Sequence, residues 1–343
     1  MSTPAMDPGT KDAARQARGT LVISLDFELM WGMRDKRDLS GYMDNFLGVR
    51  EALPLMLDAF DEHGVKATFA TVGLLFFGDK DAMMAGLPSV RPSYTNTRLS
   101  PYTAHFGHVG PNEEADPYHF GASLIRLIQQ HPAHEVACHT FSHYYCLESG
   151  QTEEEFEADL EAAHKAAKAM GVELKSLVFP RNQFNPRYLA ICHKQGIRAF
   201  RGNESNWLHE ARSGEQESLL RRGFRLLDTW LDLTGPNCHA MPRAIAGMPV
   251  DIPASRFLRP WSPRFSLLEG LRIKRITKAM DHAARTGTIF HLWWHPHNFG
   301  AHTGRNMAFL RQVLGHFKRL QQEYGMQSLT MAEVAKKAKA DGR

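Results

Sequence analysis

Short, almost wholly apolar runs alternate with amphipathic stretches along most of this 343-residue chain. The runs LVISLDF, EVAC, SLVF and TIFHLWW hold too few polar positions for a strand with one wet face, so they predict parallel strands covered on both sides. Five amphipathic stretches close on a glycine and pass at once into a β-rich run, at Gly64, Gly171, Gly196, Gly287 and Gly325. Glycine just past the last helical turn takes the left-handed conformation that ends a helix. Helix starts agree: Thr152 with Glu155 and Thr330 with Glu333 are capping boxes, and Asn185 before Pro186 is an N-cap followed by proline. Strand and helix alternate throughout, which predicts one parallel α/β domain.

Two segments break the rhythm. Residues from about 78 to 120 and from about 202 to 263 exceed the connections that a compact α/β unit needs, and they read as insertions over one face. Loops at the carboxyl ends of parallel strands build ligand sites, so both are candidate substrate walls or lids. Residues 1–19 read as a flexible leader, 20–335 as the domain, and 336–343 as a basic C-terminal tail.

Composition narrows the function classes. A formal charge of +4 and 43% hydrophobic residues describe a globular chain, and no basic stripe of the kind that follows nucleic-acid phosphates is present. Nucleic acid is not an expected partner. Cys138, Cys146, Cys192 and Cys238 share no zinc-ribbon spacing and read as free thiols in a reducing compartment. The longest weakly polar run, Ala67 to Phe77, is about half the ~20 residues of a membrane span. The N-terminal stretch has no apolar core before Leu21, so the expected location is cytoplasmic. Oligomeric state is open. The 18 histidines raise the prospect of metal chemistry without placing it.

Strand ends place it. In SLDFELMWG, alternation points Asp26 and Glu28 the same way, and two acids at the edge of a buried strand need a cation or a proton to compensate them. A strand-end acid that caps a loop is the plainer alternative. EVACHTFSHYY supplies His139 and His143, which a helical turn after the strand would bring to one side as two nitrogen ligands. In a histidine-rich chain that spacing also arises by chance. TIFHLWWHPHNFG offers His295 at the strand terminus as a general acid, with His291 and His297 read as structural. Arg181 in SLVFPRNQF is placed to hold the carboxylate that must stay ionised, or else to make a surface salt bridge. Asp228 or Asp232 of DTWLDLTG is a candidate for orienting the catalytic histidine.

Four strand-end clusters in this order resemble the NodB-type polysaccharide deacetylases, the family-four carbohydrate esterases. The resemblance runs from about Leu21 past His297 and implies a distorted, partly open (β/α) barrel with a metal at the carboxyl ends of its strands. HTFSH, with His139 and His143, matches the family's most specific motif, in which two histidines hold the metal. Asp26 corresponds to the catalytic base. The usual adjacent second Asp is Phe27 here, and the third ligand carries over to Glu28 one place later. Arg181 matches the arginine of the third motif, although Asn182, Gln183 and Phe184 replace the proline and aromatic that usually follow. LWWH, ending at His295, matches the last motif, whose histidine is the acid.

The implied reaction is metal-assisted amide hydrolysis, with zinc favoured on ligand chemistry and cobalt, nickel or iron also suitable. Trp31, Tyr144 and Phe184 are candidate substrate contacts; Trp293 and Trp294 read as core. The expected substrate is an N-acetyl or N-formyl amino sugar, an intracellular nucleotide-linked or lipid-linked precursor of a bacterial surface polysaccharide such as lipopolysaccharide. The alternatives are hydrolysis of a small cyclic or linear amide in the manner of an allantoinase, and a non-catalytic glycan-binding barrel, for which Phe27 is the main argument.

Overall fold

The computed structural model describes residues 18–35, 40–204 and 219–340. The run LVISLDF lies in β1 (Thr20–Phe27), whose eight residues are all buried, as a strand covered on both faces requires. There follow α1 (Met43–His63), β2 (Thr68–Thr71), α2 (Lys80–Ala85), α3 (Ala122–Gln129), β3 (Glu135–Cys138), α4 (Glu153–Ala169), β4 (Ser176–Leu177), α5 (Leu189–Lys194) and β5 (Ala199–Phe200). The chain continues through α6 (Leu219–Leu227), β6 (Val250–Asp251), β7 (Arg256–Phe257), α7 (Glu269–Thr286), β8 (Ile289–Trp294), α8 (Thr303–Tyr324), β9 (Gln327–Ser328) and α9 (Met331–Ala340). The five glycines that end helices all have positive φ, from 64° at Gly64 to 97° at Gly196. Both capping boxes form, and the Asn185 side chain accepts from the Arg187 amide.

Every pairing between these strands is parallel, in the order β6-β5-β4-β3-β2-β1-β8-β7 with β9 on β1. The two edges of this curled sheet belong to one extended stretch of chain. Ile252 and Ala254 donate to the Phe200 and Gly202 carbonyls at 2.9 Å on the β5 side, and Ser255 and Leu258 to the His291 and Trp293 carbonyls at 2.8 Å on the β8 side. A single segment thus carries the hydrogen bonding from one edge to the other. The result is the curled, partly open α/β barrel that the family resemblance implies.

Alternation along β1 sorts the barrel's two sides. Leu21, Ile23, Leu25 and Phe27 join the large core shared with the helices, whereas Val22 joins a second cluster with Met331, Val334, Ala335 and Ala338 of α9. That helix plugs the barrel floor through positions spaced three and four apart. Above Val22 come Ser24, hydrogen-bonded to His291 Nε2 at 2.9 Å, and then Asp26. The interior therefore grows more polar from the amino to the carboxyl ends of the strands.

Two expected boundaries move. The stretch 250–258 lies within the expected second insertion, yet it is barrel wall; Pro253 interrupts its apolar pattern and hides the two short strands. Residues 336–340 of the expected tail complete α9, where Ala338 is buried. Residues 1–17 of the expected leader, 205–218 of the second insertion and 341–343 of the tail lie outside the described residues. Among the described residues no helix is long and apolar enough to cross a membrane, and all four cysteines are free thiols.

Candidate active site

Asp26 is 4% exposed, so its charge must be compensated within the protein. Arg201 does this with two parallel hydrogen bonds, Nη1 to Oδ1 at 2.6 Å and Nη2 to Oδ2 at 2.8 Å. Ser24 Oγ and Asn182 Oδ1 accept further guanidinium hydrogens at 3.1 and 2.8 Å, and the guanidinium stacks on Trp293, 4.2 Å from its centroid. Burial pushes the Asp26 carboxyl up, but the charge and hydrogen bonds of Arg201, together with His139 and His295, hold the group below its ordinary value. Asp26 is thereby kept ionised and aimed.

Two residues on, Glu28 is also buried and meets both histidines. Its Oε2 lies 3.3 Å from His139 Nε2 and 2.9 Å from His143 Nε2. These three donor atoms lie within 4.8 Å of one another. His139 Nδ1 is 2.8 Å from the Val178 carbonyl, which takes its proton and leaves the Nε2 lone pair facing the cluster. One carboxylate and two imidazoles so arranged fit a divalent cation. Burial opposes the Glu28 charge, yet His295, His139 and His143 hold its carboxyl well below the usual range. Burial pushes His143 down to about 4, so its imidazole is available as a neutral ligand. Phe27 points into the core, and Glu28 stands where the second acid is needed.

The HxxxH spacing works by a different geometry from the helical turn expected of it. Residues 139–146 form a bent loop in which Thr140 and His143 have φ of 60° and 56°. Asp159 of α4 pins the bend, accepting from the Phe141 and Ser142 amides at 2.7 and 3.1 Å and from the Ser142 hydroxyl. Burial raises the Asp159 carboxyl to about 6 despite these donors. Leu29, Arg181 and Asn182 are also left-handed, at φ of 46°, 56° and 53°. Five of the seven described non-glycine residues with positive φ thus gather in the loops that leave β1, β3 and β4 around the site.

His295 closes the group. Its Nε2 lies 3.8 Å from Asp26 Oδ2 and 3.5 Å from Glu28 Oε1, and the ring is 23% exposed. On its other side Asn298 Nδ2 is 3.4 Å from His295 Nδ1, while Tyr42 donates its hydroxyl to Asn298 Oδ1. Burial raises the Tyr42 pKa, so that hydroxyl stays protonated and fixes which end of the amide faces His295. The proton of a neutral His295 is then on Nε2, toward the carboxylates.

Several expected contacts fall elsewhere. Arg181 does not reach Asp26; it pairs with Asp35 and stacks on Tyr145 at 4.1 Å, because a left-handed backbone turns it away from the barrel axis. Trp31 is fully buried, with Nε1 donating to the His119 carbonyl at 2.8 Å, since the 78–120 segment folds over it. Tyr144 turns inward onto Phe156, its hydroxyl 2.9 Å from Gln151 Oε1, and Phe184 packs against Phe179 and Phe200. Asp228 neutralises Arg256 and Arg275 at 2.9 and 3.3 Å and accepts from Thr234 at 2.8 Å, with no contact to His295. Asp232 pairs with Arg275 and Lys278. His291 and His297 are buried and Trp294 belongs to the core, whereas Trp293 is half-exposed beside His295.

Sequence reasoning missed Arg201, Asp159, Asn298 and Gly32. Arg201 follows the short apolar run of β5 directly, a strand end like the four that were read. Asp159 sits on the apolar face of its helix, three places after Phe156, which is an unusual place for an unpaired acid. A Cβ on Gly32 would lie 2.0 Å from the Glu28 carboxyl carbon, so only glycine leaves room for that side chain.

A parallel α/β barrel thus carries an arginine-paired carboxylate, and a second carboxylate with two imidazoles, at its strand ends. Residues 41–200 match the polysaccharide deacetylase family, a span that includes His139 and His143 and stops short of Asp26, Glu28 and His295. Over that span the chain resembles the polysaccharide deacetylases. A Mycobacterium smegmatis protein described provisionally as a polysaccharide deacetylase shares its fold at TM-score 0.61 and 16% identity, over 99% of this chain and 94% of that one. A Pseudomonas aeruginosa PAO1 protein described in the same way gives 0.53 and 12%, and the Puue allantoinase 0.54 and 12%, each over 94% of this chain and 91% of the other. A comparison with curated proteins finds no match.

Proposed function

We propose that this protein is a metal-dependent hydrolase that removes an N-acetyl or N-formyl group from an amino sugar. The observation that carries this reading is the junction of two sets: Glu28 with His139 and His143, and Asp26, locked by Arg201, with His295 between the carboxylates. Glu28 Oε2 and the two Nε2 atoms would hold a divalent ion, with zinc preferred for a carboxylate and two imidazoles. Such an ion supplies Lewis-acid polarisation of the acyl oxygen and a lower pKa for the attacking water. Asp26 takes the proton from that water, since Arg201 keeps it ionised at neutral pH. His295, as the imidazolium, hands its Nε2 proton to the departing amine as the C–N bond breaks and is left as the neutral imidazole. The products are a free amino sugar and acetate or formate. The four free thiols favour a reducing compartment and hence an intracellular precursor as substrate.

The Glu28 geometry removes the main argument for a non-catalytic barrel, since Phe27 takes no position at the site. The test is release of acetate or formate from a panel of N-acyl amino sugars by protein supplied with zinc, cobalt or nickel. No release from any member with any of the three metals rules the proposal out.

A further inference from the structure

A cavity of about 270 Å³ opens beside His295 and Trp293, and its walls carry five arginines against two carboxylates, Glu204 and Asp228. Most of that positive charge is already answered. Arg256 pairs with Asp228 at 2.9 Å, Arg272 with Glu269, and Arg181 with Asp35. Arg259 differs. Its Nε donates to Thr229 Oγ1 at 2.9 Å, and no described carboxylate pairs with its guanidinium, which lines the cavity. Burial, and then the nearby Arg225 charge, hold the Arg259 pKa below its ordinary value. A half-buried guanidinium beside another positive group is costly unless an anion arrives.

The position relative to the reaction is set by one ring. Phe257 lies 5.9 Å from the His295 ring and 5.8 Å from the Arg259 guanidinium, and it packs on Trp293 at 4.6 Å. A sugar laid on the half-exposed faces of Phe257 and Trp293, with its acyl nitrogen at His295, directs a neighbouring substituent to Arg259. We infer that the cavity at Arg259 is an oxyanion subsite, and that the substrate is an N-acyl amino sugar that carries a phosphate ester or a carboxylate. The inference rests on the hydrolase reading for the identity of the sugar, and on Arg259 alone for the anion.

Two measurements separate those parts. Metal-free protein titrated calorimetrically with inorganic pyrophosphate is expected to bind it, at least about tenfold more weakly as Arg259→Gln and with partial recovery as Arg259→Lys. Recovery by lysine excludes simple misfolding. Zinc-loaded protein is then given N-acetylglucosamine, its 1-phosphate and its uronic acid. One anionic sugar is expected to exceed the neutral one by about tenfold or more in kcat/KM, an advantage lost through KM in Arg259→Gln; which one it is tells phosphate from carboxylate. Equal or better turnover of the neutral sugar, or pyrophosphate binding indifferent to Arg259, overturns the subsite. No acyl release from these three or from the wider panel with zinc, cobalt or nickel, with pyrophosphate binding still dependent on Arg259, supports the subsite and overturns the hydrolase.

Discussion

Among the described residues the protein holds two groups of one carboxylate and two imidazoles with donor atoms within 4.8 Å, Glu28 with His139 and His143, and Asp61 with His131 and His134. Composition and distance do not tell them apart; proton positions do. His139 gives its Nδ1 hydrogen to the Val178 carbonyl and keeps a lone pair on Nε2. His134 Nδ1 instead accepts the Ala67 amide at 3.1 Å, so its neutral form carries the hydrogen on Nε2, the atom 3.6 Å from Asp61 Oδ1. That nitrogen has no lone pair for a metal. His143 Nδ1 also faces a donor, Arg34 Nη1, but at 3.4 Å and from a side chain already anchored on the Trp31 and Leu99 carbonyls at 2.6 Å. A side chain yields by a torsion; a backbone amide at the start of β2 does not. A ligand set is therefore defined by what its far nitrogens do, as well as by the atoms that meet.

The largest expected effect breaks the comparison directly. His139→Ala with His143→Ala takes bound zinc, counted by mass spectrometry after dialysis, from one equivalent to background. Loss of several kcal/mol of transition-state stabilisation lowers deacylation by at least about a thousandfold. Asp61→Ala with His131→Ala leaves both quantities as in the wild type. Zinc retained by the first pair and lost by the second reverses the assignment.

Arg201→Met comes next. With its bidentate partner gone, burial acts on Asp26 against only His139 and His295 and raises its pKa, so the acid limb of the kcat/KM profile moves to higher pH. The sign for stability follows from the same shift. A carboxyl whose folded pKa is depressed contributes stability above its unfolded pKa and loses it as pH falls through the folded value. The variant lacks that contribution and leaves a buried carboxylate unpaired, at a cost of about 3–5 kcal/mol in denaturant unfolding at neutral pH. An unmoved acid limb excludes Asp26 as the base.

How much of this was legible in the sequence depended on how local each signal is. Helix ends were, because capping boxes and terminal glycines act within four residues. The carboxylates of β1 were, because alternation within one strand decides their side. Arg181 was misplaced because a left-handed backbone at that residue reverses its side chain, and no periodicity reports φ. The partner of Asp26 was missed because Arg201 lies 175 residues away and meets it only when β5 and β1 curl around one axis. Trp31 looked like a sugar platform until the 78–120 segment covered it. The sequence also offers no means of choosing between the two triads, since their difference rests on a backbone carbonyl in one and a backbone amide in the other.

Gly32→Ala sharpens the comparison without touching a ligand. The new methyl group would overlap the Glu28 carboxyl group and displace it from the two imidazoles. Zinc affinity, measured by competition with a chelator, is expected to fall by about 10–100-fold, the range seen when support of a ligand is lost. Metal-free melting should shift little, because the clash is with the end of one side chain. Unchanged affinity means Glu28 does not depend on that close approach, and its place in the ligand set loses support.

The smallest effect is expected at the second triad. His131 Nδ1 lies 2.6 Å from Asp61 Oδ2, but the Asp61 side chain is 46% exposed, and water and salt screen such a pair. Asp61→Ala should change unfolding free energy by at most about 1 kcal/mol, and by the same amount with and without zinc. The second condition is the informative one. A ligand that binds only the folded state raises stability in proportion to the logarithm of its concentration, so a zinc-dependent gain that vanishes with Asp61 would show an ion held there. The proton on His134 Nε2 would then have to leave, and the Ala67 amide would have to give up its acceptor. The structure makes that exchange unfavourable, so the wild type and Asp61→Ala should show parallel zinc titrations.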